Sequence, residues 1–364
     1  MADSLLYTVA APFEAALRVP FLPQVHQSHN LHGHSYYARI RARLPKGWSP
    51  FPGGESQALS HALNQAVAPL NYSYLNDHIK NPTDENLARW LWQHLDIPGL
   101  ESVGIQSTRE SGADLATKDM AHIWRKFRFE AAHQLPNVPQ GHPCGRMHGH
   151  GFEIILHAQQ AIEQKNMGVD FDRLAQLWQP LQKLLHNHCL NDIPGLKNPT
   201  SEVLAAWIWQ KLKPQLKELS WITVYETVTA GCNYNGKQFR IWKELRFEGA
   251  LKLNHAPPGD SRKMLHGHSY LTRLHLLAPL DELMGWTVDY GDVKAIFQPL
   301  YKQLDHHLLN ELHNIEDANL ATILSWIKAG LKDNLPQLDR IDLYESPGCG
   351  ATICWGDQGP ILPI

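Results

Sequence analysis

The sequence has few cysteines, little net charge and no long apolar run. Its 364 residues include five cysteines, an odd number at irregular spacing, which fits a reducing compartment rather than a disulfide scaffold. Basic residues number 33 and acidic ones 36, a formal net charge of -3. So balanced a chain exerts no global attraction on nucleic acid or an anionic membrane, and any anionic substrate must be held locally. No stretch approaches the roughly 20 apolar residues that span a bilayer. The opening MADSLLYTVAAPF carries Asp3 and no basic n-region, unlike a secretory signal. These absences predict a cytoplasmic protein without nucleic-acid or membrane partners. What the chain does have is 43% hydrophobic residues and 12 tryptophans, enough for more than one buried core.

The chain repeats itself. FEAAL at 13, FEAAH at 129 and FEGAL at 247 each precede a His-Gly-His, at 32, 148 and 266, by the same interval. The His-Gly-His motifs are 116 and 118 residues apart, which is domain-sized and far longer than solenoid repeats. Three units follow, at 1–120, 121–240 and 241–364.

In the middle unit, WRKFRFEAAHQL and HGHGFEIILHA alternate apolar and polar positions, as half-buried strands do. Leu174, Leu177, Trp178, Leu181 and Leu185 then recur at three- and four-residue steps and give a helix one apolar stripe. NPTSEVLAAWIWQKL predicts a second helix, capped by Thr200 or Ser201 with Glu202 in its first turn. SWITVYETV and NGKQFRIW read as two closing strands. The expected class is therefore α+β: in each unit a four-stranded antiparallel sheet with two helices on one face.

The middle unit also concentrates the chemistry. On a strand, His148 and His150 point the same way, and a hairpin brings His133 opposite them. Three imidazoles with a fourth position open suit a catalytic zinc site, so Zn2+ is the expected cofactor. Cys144, on a glycine-flanked loop, fits either a fourth ligand that closes the site or a base or nucleophile whose pKa a nearby cation lowers.

The segments FRFEAAHQLP, GHPCGRMHGH, LNDIPGLKNPTSEVLAAWIW and YETVTAGC, between Trp124 and Gln238, resemble the 6-pyruvoyltetrahydropterin synthase family. Within it they resemble the bacterial 6-carboxytetrahydropterin synthase branch of queuosine (7-deazaguanine) biosynthesis, which shares the Cys-x3-His-Gly-His spacing. The resemblance implies that His133, His148 and His150 hold Zn2+, that Cys144 accepts a proton, and that Glu226 anchors a pterin. A carboxylate suits the last role, because it takes two parallel hydrogen bonds from an amino group and a ring N–H. The implied activity is conversion of 7,8-dihydroneopterin triphosphate to 6-carboxytetrahydropterin. A pyruvoyl synthase-like enzyme and a non-catalytic pterin-binding scaffold are the alternatives.

The family also carries an Asp-His pair in a stretch like LDHHxLN. The middle unit reads LLHNHCLND there, with His186 and Asn187 at the two positions. The third unit supplies the pair as Asp305 and His306 and keeps Glu345, but has Leu251 and Arg262 where the middle unit has His133 and Cys144. The first unit has Leu17, Ser28, Asn71, Tyr72 and Ser107 at the corresponding positions. The family's tunnelling fold joins the sheets of three subunits into a twelve-stranded barrel, with sites between subunits. Three fused units are thus expected to form a pseudo-trimeric barrel with one site, between the second and third units, and two such barrels to stack as a homodimer. His29, His255, His142 and Arg146 are secondary candidates, the first two for metal and the others for substrate phosphate.

Overall fold

The protein is described by a computed structural model covering residues 3–161 and 168–363. The first unit contributes β1 (Ser4–Leu17), β2 (His32–Ala42), α1 (Glu55–Val67), β3 (Ser73–Tyr74), α2 (Asp84–His94), β4 (Leu100–Thr108) and β5 (Ser111–Thr117). The second repeats the series as β6 (Met120–His133), β7 (His148–Ala161), α3 (Phe171–Leu185), β8 (His188–Cys189), α4 (Ser201–Leu212), β9 (Leu219–Thr227) and β10 (Ala230–Tyr234). The third has β11 (Phe239–Leu251), β12 (His266–Ala278), α5 (Tyr290–Leu304), β13 (His307–Leu308), α6 (Leu320–Leu331), β14 (Leu338–Ser346) and β15 (Cys349–Cys354). Among the described residues no helix is long and apolar enough to cross a membrane.

The twelve long strands pair antiparallel in the order β10-β9-β7-β6-β5-β4-β2-β1-β15-β14-β12-β11, and β10 pairs with β11 to close the ring. This is the expected pseudo-trimeric barrel of three tunnelling-fold units. Two of its seams are hairpins: β5 turns into β6 with Thr117 opposite Met120, and β10 turns into β11 with Tyr234 opposite Phe239. The third seam pairs the first and last long strands, from Ser4 opposite Cys354 to Thr8 opposite Gly350. Closure leaves the long strands no open edge at which another chain would add.

One strand lies elsewhere than its sequence suggests. NGKQFRIW is not a closing strand: Phe239 onward belongs to β11, and the closing strand is the short β10. Asn235-Gly236, with Gly236 at φ 89°, makes the turn, as Asn-Gly commonly does in hairpins. Gly231 hid β10, since glycine weakens a strand pattern. It is required there because a Cβ would stand 2.5 Å from the Trp242 ring.

Alternation sorts the side chains into two faces. On β2, Tyr36, Ala38, Ile40 and Ala42 pack in the hydrophobic core with Leu59 and Leu63 of α1; Arg39 and Arg41 point the other way. The six helices cannot fit within a ring of this size and cover its outside, so the opposite face lines the lumen. That lining is polar and internally paired. Arg39 lies 2.8 Å from Asp114, and Asp342 accepts from Arg340 at 2.7 Å and faces His275 at 3.0 Å. The segment after β15 runs into this lumen. The Leu362 carbonyl accepts from Arg39 at 2.6 Å, the Gln358 carbonyl accepts from Arg340, and the Gln358 side chain accepts from Arg41 at 3.3 Å.

Truncating the chain after Asp357 removes these acceptors from three guanidinium groups. Hydrogen bonds to charged groups contribute roughly 1.5–3 kcal/mol each, so the truncated protein is expected to lose about 3 kcal/mol or more in denaturant unfolding. An unchanged midpoint would show that the tail contributes nothing.

Candidate active site

The β6–β7 register sets His133 directly opposite His148 and Ala131 opposite His150. Directly opposed residues share a face, so the three imidazoles gather on the helix-covered side. One ligand atom from each lies within 4.8 Å of the others, and His133 is fully buried. The corresponding pairs elsewhere are Leu17 with His32 and Leu251 with His266, so each of those units lacks a third imidazole at the matching place.

Backbone carbonyls fix the three rings. Nδ1 of His133 faces the Pro199 carbonyl at 3.3 Å, Nδ1 of His148 the Arg146 carbonyl at 2.8 Å, and Nδ1 of His150 the Gly151 carbonyl at 3.2 Å. A carbonyl only accepts, so each Nδ1 carries a proton, which leaves Nε2 of each ring as the atom free to offer a lone pair inward. Burial pushes the His133 pKa down to about 4, with His148 and His150 adding to the effect, and it lowers that of His150. The Nε2 atoms of His133 and His150 are 3.1 Å apart. Two lone pairs so close repel, whereas tetrahedral ligands at 2.0–2.1 Å from zinc are about 3.3 Å apart. Outer partners that set tautomer and orientation are the usual support of metal-binding imidazoles. The donor set fits a divalent cation.

Cys144 lies in a single turn of 3-10 helix, Pro143–Gly145, next to this cluster in sequence. Its backbone N–H donates to Nδ1 of His142 at 3.2 Å, leaving the Nε2 proton of His142 to donate to Asp289 at 3.1 Å. Asp289 caps α5 of the third unit, so the cysteine loop is tied across a seam. The third unit's preceding loop then lies over the start of α4. Asn198 donates to the Met284 carbonyl at 2.7 Å, the Thr287 N–H donates to Glu202 at 2.8 Å, and the Ser201 and Tyr290 hydroxyls are 2.9 Å apart.

Glu226 stands near the end of β9 within this wall. Burial, Glu202 and Asp289 raise its pKa to about 7, against the Ser201 hydrogen bond and Lys243. The Cys144 pKa is also raised, by burial, Glu226 and Asp289. The sequence reading expected a nearby cation to lower the thiol pKa; burial and the neighbouring carboxyl groups act in the opposite sense.

Asp305 and His306 sit at the far end of α5. Asp305 caps it, accepts from the Glu248 N–H at 2.9 Å and pairs with His306 at 2.9 Å. Asp289 and Asp305 are about 24 Å apart along the helix at 1.5 Å per residue. Among the described residues no hydrogen bond or ion pair joins either member of the pair to Cys144. The pair does lie on the edge of β11 that faces the second unit, because β13 and β10 both pair with that edge. His306 is solvent-exposed at φ 60°, a left-handed conformation shared by Tyr72 and Asn187.

The secondary candidates are otherwise engaged: His29 faces the Leu22 carbonyl at 3.0 Å, His255 pairs with Asp317 at 3.1 Å, and His142 holds Asp289. Sequence reasoning did not identify Asp289 or Tyr290. Their signal is VDY at 288–290 against VDF at 169–171, ahead of the same helix in two units.

Comparison with known proteins gives the family. The model for 6-pyruvoyl tetrahydropterin synthase matches three times, over residues 7–115, 122–237 and 240–354. The chain belongs to the 6-pyruvoyl tetrahydropterin synthase family. A 6-carboxy-5,6,7,8-tetrahydropterin synthase of Synechocystis sp. is 39% identical over 119 residues, covering 31% of this chain and 91% of that protein. A dihydroneopterin monophosphate aldolase of Pyrococcus furiosus is 27% identical over 112 residues, covering 30% of this chain and 95% of that protein. Among solved structures, a 6-pyruvoyl tetrahydropterin synthase of Caenorhabditis elegans matches at 21% identity and a TM-score of 0.31, covering 32% of this chain and 96% of that one.

Glu226 yields a pH prediction. Its folded pKa lies above the unfolded value of 4.5, so the folded state holds the extra proton, and stability falls as pH rises from about 4.5 to about 7. Glu226→Gln is expected to raise the thermal midpoint relative to wild type at pH 8 and to leave it nearly unchanged at pH 4. An equal shift at both pH values would contradict the buried charge.

Proposed function

We propose that the protein is a zinc-dependent 6-carboxy-5,6,7,8-tetrahydropterin synthase of queuosine (7-deazaguanine) biosynthesis. It takes 7,8-dihydroneopterin triphosphate and water and releases acetaldehyde and triphosphate, at one site per chain between the second and third units. The observation that carries this reading is the convergence of three carbonyl-oriented imidazoles beside a cysteine loop and a half-buried carboxylate, in one unit of three. The Synechocystis relative supports the choice of product. On this reading the chain divides near residues 120 and 240, works in the cytoplasm, and stacks as a homodimer of barrels.

The roles follow from the groups. His133, His148 and His150 hold the metal, which when bound acts as a Lewis acid toward the substrate's side-chain hydroxyls and acidifies the adjacent C–H bonds. Glu226 accepts two parallel hydrogen bonds from the amino and ring N–H groups of the pterin. Ser201, Tyr290 and the third unit's loop exclude water from that end. Cys144, as thiolate, removes the proton. Asp305 orients His306, and this pair, on the edge of β11 facing the second unit, relays the proton; Asn187 has no basic nitrogen for the task.

The test is product identification with zinc-loaded protein and 7,8-dihydroneopterin triphosphate. Cys144→Ala is expected to lose at least 100-fold in turnover and His306→Ala at least 10-fold, each with zinc content unchanged. Turnover unaffected in His306→Ala removes the third unit from the relay. A pyruvoyl product or aldol cleavage alone would move the protein to another activity, and tight pterin binding without turnover would make it a scaffold.

A further inference from the structure

The first unit lacks a carboxylate at the position of Glu226, yet its cleft holds one. β4 and β9 are nine-residue strands that match from Leu100 and Leu219 onward, which sets Ser107 at the place of Glu226. α2 and α4 both follow an N-cap threonine, which sets Asp84 at the place of Ser201. In the second unit the helix carries the hydroxyl and the strand the carboxylate: Ser201, which donates to Glu202 at 3.0 Å, also acts to lower the Glu226 pKa. In the first unit the two are exchanged: Ser107 on the strand donates to Asp84 Oδ2 on the helix at 2.7 Å. The exchange keeps a carboxyl group and a hydroxyl facing each other across the same strand–helix gap. The third unit has Leu320 and Glu345 at these positions and so keeps the acid without the helix hydroxyl.

The carboxylate faces open space. A cavity of about 280 Å³ involves the third unit's Glu345, and one of about 430 Å³ is lined by Asp84, Ser107, Tyr36, Thr108, Arg125 and Phe171; the larger is the size of a small-molecule pocket. Asp84 is only 6% exposed, and Ser107 meets it through both its hydroxyl and its backbone N–H. No cation pairs with it among the described residues. Arg125, across the seam, is spent on the Phe171 carbonyl at 2.7 Å and on Asp172 at 3.4 Å, and His26 bonds Asp172 at 2.8 Å. Burial and Glu85 push the Asp84 pKa up to about 8, against the Ser107 hydrogen bond. Phe171 occupies the place of Tyr290 and has no hydroxyl to compete for the acid. A buried carboxylate that lines a cavity, with no cation paired to it among the described residues, is completed by a ligand bringing its own donors.

We propose that the first unit is a second, non-catalytic binding pocket for a planar heterocycle with an amino group beside a ring N–H, the edge shared by pterins and guanine, gripped by Asp84. Ser28 in place of the thiol and Leu17 in place of His133 leave this pocket without the means of turnover. The ligand class rests on the reading of Glu226 as an anchor for such an edge; the pocket and its carboxylate do not.

The experiment is calorimetric titration with neopterin, and with guanosine and adenosine as probes of edge chemistry, on the wild type, Glu226→Gln and Asp84→Asn. Two equivalents of neopterin per chain are expected in the wild type, because Glu345 in the third cleft already has Arg262 and His268 beside it. Glu226→Gln is expected to keep one, and Asp84→Asn to keep the other while the first-unit site weakens at least 30-fold. In Glu226→Gln, affinity at the remaining site is expected to fall as pH drops from 8 to 6, as Asp84 is protonated. His26, His32, His34, Glu85, Glu110, Arg125, Asp170 and Asp172 also line the cavity, so Asp84→Asn must abolish this pH dependence. Asp84→Asn removes a buried charge and is expected to fold with an equal or higher thermal midpoint at pH 8. Wild-type binding retained in Asp84→Asn, or no binding in Glu226→Gln, overturns the proposal and leaves the catalytic site standing. One equivalent lost only in Asp84→Asn upholds it and removes Glu226 as an anchor. Adenosine binding as well as guanosine overturns the donor-pair argument.

Discussion

Backbone pairing around a closed ring is the constraint on which everything else depends. A barrel of twelve strands needs four from each unit, so no unit can be dropped once its side-chain chemistry has decayed. Each cleft is also built across a seam, with a cysteine-type loop on one side and the start of the next unit's first helix on the other. His142 with Asp289 and His26 with Asp172 are analogous inter-unit contacts, made to the cap of α5 in one case and to the first turn of α3, two residues past its cap, in the other. Both are fixed by a histidine whose second nitrogen accepts from the loop's own backbone. The ring therefore keeps its geometry while the groups inside the clefts diverge.

The three clefts share one electrostatic feature. Each encloses a carboxyl group whose pKa burial raises, to about 8 at Asp84 and to about 7 at Glu226 and Glu345. An isolated buried acid costs free energy, and a ligand that donates hydrogen bonds offsets that cost. Imidazoles differ more sharply between units. Three rings held at Nδ1 by backbone carbonyls occur at His133, His148 and His150, whereas leucine beside His32 and His266 leaves pairs of histidines in the other clefts.

Much of this was legible in the sequence, and the exceptions have physical reasons. Phe-Glu and His-Gly-His lie the same interval apart in each unit because a hairpin must register them, and the apolar stripe from Leu174 to Leu185 is buried in full. The short β10 was misplaced because Gly231 serves a neighbouring tryptophan rather than strand propensity. Asp84 was missed because position-by-position matching records Ser107 as a lost acid, and only the fold shows that the acid moved to the helix opposite. The arginines of the lumen alternate with apolar residues just as solvent-facing side chains do, so their enclosure, and the tail among them, had no sequence signature. The Cys144 environment depends on Asp289, which is 145 residues away and meets it only through ring closure.

The hairpin seams have one more implication. In an assembly of identical subunits every mutation is made in triplicate, so a change that helps one cleft is imposed on the rest. Here each cleft has its own codons, and covalent linkage keeps the three in fixed order and equal number. An Asp-Ser exchange can arise in one while a Ser-Glu pair persists in the next, and the ring becomes a scaffold whose compartments specialise singly.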